Sequence, residues 1–195
     1  MTTRTPISTC VSTCLALTLL VAVTACRSSG RVYHDTNMDF GSIRTVAVMP
    51  FSNLTREAAA ADRVRDVFSS ALLATGGIYV LPPGEVARGI ARAGVALPTS
   101  PSVDEVVKLG SVLKADAVIV GVVKEYGEVR SGTTASNVVS ISAQMLEAST
   151  GKVVWSGQST KGGVSLGDRL LGSGGEPVNR ITEEAVDDLL SQLFH

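Results

Sequence analysis

The sequence predicts a single α/β domain whose mixed sheet is flanked by helices, with elements in the order β-α-β-α-α-β-β-β-α. Three observations carry this. Thr45–Phe51 and Asp116–Val123 are short, nearly continuous apolar runs of strand length. Other segments hold apolar residues three and four apart, the period of one helix face. Val139, Ile141, Ala143 and Met145 alternate with Ser140, Ser142 and Gln144, the period of a strand with one wet face.

From the N-terminus, residues 1–25 read as a signal peptide. Arg4 is the only charge before the apolar stretch Val11–Ala22, which is too short and too broken by Ser and Thr for a spanning helix of about 20 apolar residues. It ends in Val23-Thr24-Ala25-Cys26, which resembles the bacterial lipobox: an aliphatic residue at −3, a small one at −1 and cysteine at +1. Cleavage before Cys26 and diacylglycerol transfer to its thiol are the expectation, because a thiol can form the thioether. Each buried CH₂ contributes about 0.8 kcal/mol, so one chain holds marginally and two or three hold effectively for good. Arg27, not Asp, follows the cysteine. By the enterobacterial sorting rule, that favours the outer membrane, facing the periplasm, over the inner. Residues 26–42 then read as the lipidated cysteine and a polar, flexible tether, and residues 43–195 as the periplasmic domain.

Within the domain, Thr45–Phe51 is closed by Pro50 and reads as a buried strand. Val64, Val67, Phe68, Ala71 and Leu72 mark a helix face, stopped by Thr75-Gly76-Gly77. Ile78–Leu81 is a second strand, and residues 85–93 a short helix with Val86 and Ile90 inward. Ser102 and Glu105 stand in capping-box spacing before a third helix whose predicted buried face is Val103, Val106, Val107, Gly110 and Leu113. Asp116–Val123, apolar on both faces, should be a central strand. The alternating strand turns at Ser149-Thr150-Gly151 into residues 152–160, a hairpin partner in which Trp155 points inward. A glycine-rich loop fills 162–175. Residues 176–194 close the domain as a helix with Val178, Ile181, Ala185, Leu189 and Leu193 on its apolar face and Pro177 in its first turn.

Composition narrows the function. With 45% hydrophobic and 18% charged residues the chain can bury a full core. A net charge of −1, with Arg63, Arg65, Arg88 and Arg92 dispersed among acids, gives no footprint for nucleic acid. Cys10, Cys14 and Cys26 all precede the domain, so no disulfide is expected within it. The mature histidines, His34 and His195, lack partners at ligand or triad spacing, and neither a metal, a cofactor nor a catalytic residue is expected. Asp62, Asp66, Asp104, Glu105, Glu183, Glu184, Asp187 and Asp188 read as solvated helix faces. Gly172-Ser173-Gly174-Gly175 precedes a helix but lacks Gly-Lys-Ser/Thr and is followed by Glu176, so phosphate binding is not expected. Asn53-Leu54-Thr55 matches a glycosylation sequon, which means little behind a bacterial lipobox.

A set of motifs carries a resemblance. Val46-Ala47-Val48-Met49-Pro50-Phe51 with Asn53 resembles the VAVxPFxN opening of periplasmic lipoprotein domains related to CsgG, the curli secretion protein, and also of LpoB-like and TolB N-terminal domains. Ala115-Asp116-Ala117 is similar to the GADA before their central strand, and Leu146–Ser156 to their hairpin VDxxTGxxxWS. The resemblance spans Ile43 to Thr160. It implies the same α/β fold and a non-enzymatic accessory or scaffold in envelope assembly or secretion, with an unnamed envelope protein as partner. The alternatives are an oligomeric subunit of a CsgG-like channel and an activator of a peptidoglycan synthase; a hydrolase using carboxylates that no motif singles out is the enzymatic one. CsgG inserts long hairpins into the membrane. Here Lys124, Tyr126, Glu128 and Arg130 would line one strand face after Val123, with Glu125, Gly127, Val129 and Ser131 on the other, so neither face suits lipid. The membrane-spanning hairpins are therefore expected to be missing.

Overall fold

The computed structural model describes residues 32–131, 134–163 and 176–194; the side chains of Ser131 and Thr134 are not among what is described. The signal peptide, Cys26, the Gly172–Gly175 segment and His195 lie outside these residues.

The strands are β1 (Tyr33–His34), β2 (Thr45–Val48), β3 (Ser52–Asn53), β4 (Tyr79–Val80), β5 (Ala117–Ser131), β6 (Thr134–Glu147) and β7 (Val153–Gly162). The helices are α1 (Ala60–Ala74), α2 (Pro83–Ala93), α3 (Val103–Leu113) and α4 (Val178–Phe194). One sheet runs in the order β1-β7-β6-β5-β2-β4, with β3 also on β5. It is mixed as expected: β2 lies parallel to β4 and β5, whereas β5, β6, β7 and β1 are antiparallel neighbours.

Each sheet face has its own apolar layer. On one, Val64, Phe68 and Leu72 of α1 and Ile181, Ala185 and Leu189 of α4 pack on Val46, Val48, Ile119, Ile141 and Trp155. On the other, Val86 of α2 and Val106 and Leu109 of α3 pack on Ala47, Met49 and Val118. That is why the β2 and β5 runs are apolar at successive positions. Pro50 ends β2 because it has no N–H to donate. From Val48 to Ser52 the first strand advances four residues while its β5 partners advance only from Ile119 to Val122, so the extra residue bulges out at the proline.

The structure departs from the sequence reading in three places. The first concerns the tether. Its described part is folded: Tyr33 and His34 pair with Ser156 and Trp155 of β7, Asp39 caps a 3-10 turn at Phe40–Ser42, and Met38 and Phe40 pack against the core. Two-residue edge pairing carries no side-chain period, so composition alone reads it as linker. The second concerns residues 124–138. Residues 124–131 and 134–138 extend the β5–β6 pairing, with a bulge between Val123 and Glu125, whereas the sequence reading ends one strand at Val123 and opens the next at Val139. Antiparallel backbone bonding needs no apolar face to form.

The third departure is the buried face of α3. Val103 and Val107 are 56% and 37% exposed, and Leu109 is fully buried in their place. Both stripes satisfy the helical period. Gly110 is common to both and lies against Ala148, where a Cβ would come within 2.5 Å of that of Ala148. Leu109 is packed in the layer with Ala47, Met49, Val86 and Val118. The capping box is present: the Ser102 hydroxyl accepts from the Glu105 amide, and the Glu105 carboxylate accepts from the Ser102 amide at 2.7 Å and the Ala96 amide at 2.8 Å. The Ser102 amide bond first, then those from Ala96 and the Ser102 hydroxyl, hold the Glu105 carboxyl below its usual range. A depressed folded pKa adds stability above the unfolded value of about 4.3 that is lost as acid protonates the folded carboxylate. Ser102→Ala should cost about 1 kcal/mol, read as a lower urea midpoint at unchanged slope. Glu105→Gln should lose the acid-sensitive part of α3 stability.

Candidate docking surfaces

The motif residues behind the family resemblance hold the backbone together. The Asp116 carboxylate accepts from the Arg44 and Thr45 amides at 2.9 and 2.8 Å, fastening the start of β2 to β5. The Asn53 side chain donates to the Glu57 carbonyl at 2.9 Å and accepts from the Thr55 amide at 2.9 Å, folding the turn into α1. Gly151 takes a φ of +69°, and a Cβ there would meet the Val103 carbonyl at 2.7 Å. Phe51 lies on Gly121, whose missing Cβ makes room for the ring.

The titratable residues are largely structural too. His34 is half-buried and stacks edge-to-face on Phe40 at 5.6 Å. Asp188 is more than a solvated charge: it pairs with Lys161 at 3.2 Å and accepts from Gln192. Arg65, which the sequence reading counts among dispersed surface cations, is half-buried and donates twice to the Val48 carbonyl, at 3.2 and 2.7 Å. That burial lowers its pKa, against the neighbouring Asp66 and Asp62. Only three-dimensional proximity reveals this, since Val48 and Arg65 share no sequence period. Among the described residues, no group of three or more His, Cys, Asp or Glu is placed to hold a metal ion, and no helix is long and apolar enough to cross a membrane.

What remains is surface. Helices α2 and α3 cover only the β4-β2-β5 side of their sheet face. Beyond it, Ser142 and Gln144 of β6 pair with Gln158 and Ser156 of β7, and the buried Ser140 with Thr160, giving two rows of uncharged polar side chains. Among the described residues no helix packs over these rows. The Ser140 and Thr160 hydroxyls are 2.8 Å apart, and Lys124 reaches across to Gln158 at 3.4 Å. Where this half-sheet meets the Thr99-Ser100-Pro101 loop there is a cleft of about 280 Å³, floored by Val120 and Val122. A second groove, about 480 Å³, opens between α3 and the N-terminal segment, with Met38, Ile43 and Val107 inside and Asp116 and Glu147 on its wall. Alternation in β6 announces the wet face of its strand; the partial helix cover that leaves it open is a tertiary property. A flat surface rich in uncharged donors and acceptors suits a protein partner better than a small ligand, which favours an enclosed, mainly apolar site.

The profile of the family described as "Putative lipoprotein GNA1162-like" matches residues 35–189. The chain belongs to the GNA1162-like family. Lipoprotein GNA1162 from Neisseria meningitidis is similar in structure, with a TM-score of 0.55 at 21% identity over 77% of this chain and 98% of that one. A PelC dodecamer subunit from Paraburkholderia phytofirmans matches this GNA1162-like chain with a TM-score of 0.56 at 16% identity, over 84% and 97% of the two chains. The LpoB C-terminal domain from Salmonella enterica aligns at 0.46 and 14% identity over 60% and 82%, a likeness too loose to argue from. At these identities the likeness is one of fold. No curated protein matches the sequence. The family match begins at Asp35, inside the segment that composition reads as tether, and so includes the 3-10 turn at Phe40–Ser42.

Proposed function

We propose that this GNA1162-like chain is a lipoprotein cleaved before Cys26, anchored by acyl chains on the periplasmic face of the outer membrane, and acting as a non-enzymatic accessory or scaffold in envelope assembly or secretion. The observation that carries this reading is the family match to lipoproteins, which starts just after the lipobox cysteine. The open polar half-sheet supports it, because it offers a partner two rows of side chains that the fold does not need for its own core. The motif resemblance to CsgG and TolB belongs to the same proposal and points to the same envelope setting.

A second reading has one observation in its favour. PelC, similar in fold, is a dodecamer, and a ring of this chain would fit a secretion role. A peptidoglycan synthase is the partner that the resemblance to LpoB would imply. One experiment separates these. A photocrosslinking residue placed at Gln144 or Gln158 in living cells should capture a distinct envelope protein, whose identity distinguishes a synthase from a secretion component. Crosslinks only to further copies, with detergent-extracted particles many times the monomer mass, would replace the scaffold by the oligomeric reading. No crosslink from either position would overturn docking through the half-sheet.

A further inference from the structure

We infer that the cleft beneath the α2–α3 connection receives one uncharged side chain of the envelope partner, and that the Glu105 carboxylate is the positioning residue that holds the cleft in shape. This rests on the docking reading proposed above.

The lining of the cleft comes from residues 99–101, 120–122, 142–144, 146 and 156. Its shape is therefore set by the sheet on one side and by the α2–α3 connection on the other. The connection makes little structure for itself. Gly94 ends α2 with a φ of +65°, and Pro98 and Pro101 have no amide hydrogen to donate. The Ser100 amide donates to the Leu97 carbonyl at 3.0 Å, a single turn.

Glu105 supplies the tie between the two ends. Its Oε1 accepts from the Ala96 amide at 2.8 Å, and its Oε2 accepts from the Ser102 amide at 2.7 Å and the Ser102 hydroxyl at 2.9 Å. A capping box accounts for the bonds to Ser102 only. The bond to Ala96 lies outside it and belongs to the connection. Extended, the chain from Ala96 to Ser102 would span about 20 Å. With both ends on one carboxylate, Leu97–Pro101 must arch, and the arch is the wall that Thr99, Ser100 and Pro101 give the cleft. Hydrogen bonds to a charged acceptor are roughly twice as strong as neutral ones, which suits a carboxylate to this task.

The lining also selects the occupant. All of it is uncharged, with Val120, Val122 and Leu146 beside Ser142, Gln144 and Ser156. A charged group entering it would give up water without gaining an opposite charge. The volume of about 280 Å³ falls below the roughly 300–1,000 Å³ of small-molecule sites. It is the scale of a single anchoring side chain, the unit through which protein interfaces gain most of their affinity.

The test uses the full lipoprotein in living cells, with the photocrosslinking residue at Gln158, outside the cleft lining. Glu105→Ala removes the bonds to Ala96 and Ser102 while keeping a good helix former. Capture of the envelope partner, per molecule of protein, should fall severalfold. Ser102→Ala weakens the α3 cap but leaves both backbone amides on Glu105, and should capture as the wild type does. Equal losses in the two variants would assign the effect to helix stability and overturn the positioning role. Gln144→Glu keeps the shape of an exposed side chain, places a charge in the cleft and should also lower capture severalfold. Capture at or above the wild-type level there overturns the uncharged occupant. In purified protein, hydrogen exchange at the Ala96 amide should quicken about tenfold or more in Glu105→Ala but not in Ser102→Ala; unchanged exchange in Glu105→Ala overturns the tie. Wild-type protein silent at position 158, or capturing only further copies, overturns this inference, and silence at position 144 as well removes the docking reading with it. Wild-type capture that survives both Glu105→Ala and Gln144→Glu overturns this inference alone.

Discussion

Cys26→Ala should abolish acylation and leave the precursor with its residues 1–25 attached. The thioether requires a thiol at that position, and cleavage of a lipoprotein precursor follows diacylglycerol transfer. Wild-type protein should incorporate labelled palmitate and migrate as the mature form; the variant should take up none and keep the mass of its signal peptide. The effect should be all-or-none, because alanine has no thiol with which to form the thioether. The α/β domain should be unaffected, since both apolar layers of its core are built from residues 38–193. Circular dichroism of a signal-less Cys26→Ala chain should match that of the mature domain. Label in the full-length variant would show acylation elsewhere and remove the anchor from Cys26.

Trp155→Ala should be the most damaging single change in the core, costing about 3–5 kcal/mol. Trp155 is the largest fully buried side chain, 0% exposed, and its indole Nε1 donates to the Gln192 carbonyl at 3.3 Å. It thereby joins β7 to α4, beside two further ties: Gln192 Nε2 to the Gln158 carbonyl at 3.2 Å, and Lys161 to Asp188. Gly157 belongs to the same arrangement, since a Cβ there would lie 2.6 Å from the indole. Truncation leaves a cavity that these neighbours cannot fill and a carbonyl without its donor. Against a total stability of about 5–15 kcal/mol for a domain of ordinary size, the loss leaves little margin. The urea midpoint should fall steeply at unchanged slope. Trp155→Phe keeps most of the ring and should lose much less. Trp155 is the only tryptophan, so circular dichroism must report unfolding in both variants. Equal small losses would show that the indole contact does not tie α4 to the sheet.

The element types were readable because side-chain period reports burial locally. Val64, Phe68 and Leu72, Ile181, Ala185 and Leu189, and the alternation from Val139 to Met145 all lie where their spacing places them. The capping box was readable from Ser102 and Glu105, because both partners sit within one turn. Three features escaped. Val103 and Val107 fit the helical period as well as Leu109 does, and only the packing of Leu109 with Ala47, Met49 and Val118, distant in sequence, tells them apart. Arg65 looked like any surface cation until the fold brought the Val48 carbonyl to it. The polar hairpin arm and the β1 edge are held by main-chain bonds that any residue can make, so no composition marks them.

The same division runs through the candidate surfaces. By itself the sequence determined the α/β class, the order of the main elements and most of the core, since apolar periodicity is a local record of which side faces water. It also carries the lipobox, a covalent signal addressed to an enzyme and independent of any fold. Only the tertiary structure decided that, among the described residues, α2 and α3 leave half a sheet face uncovered, that Tyr33 and His34 close the sheet edge on β7, and that the β5–β6 pairing continues beyond Val123. These depend on strand order and register between distant segments, where the energy lies in backbone pairing and packing across the sheet. No short window of residues contains both partners.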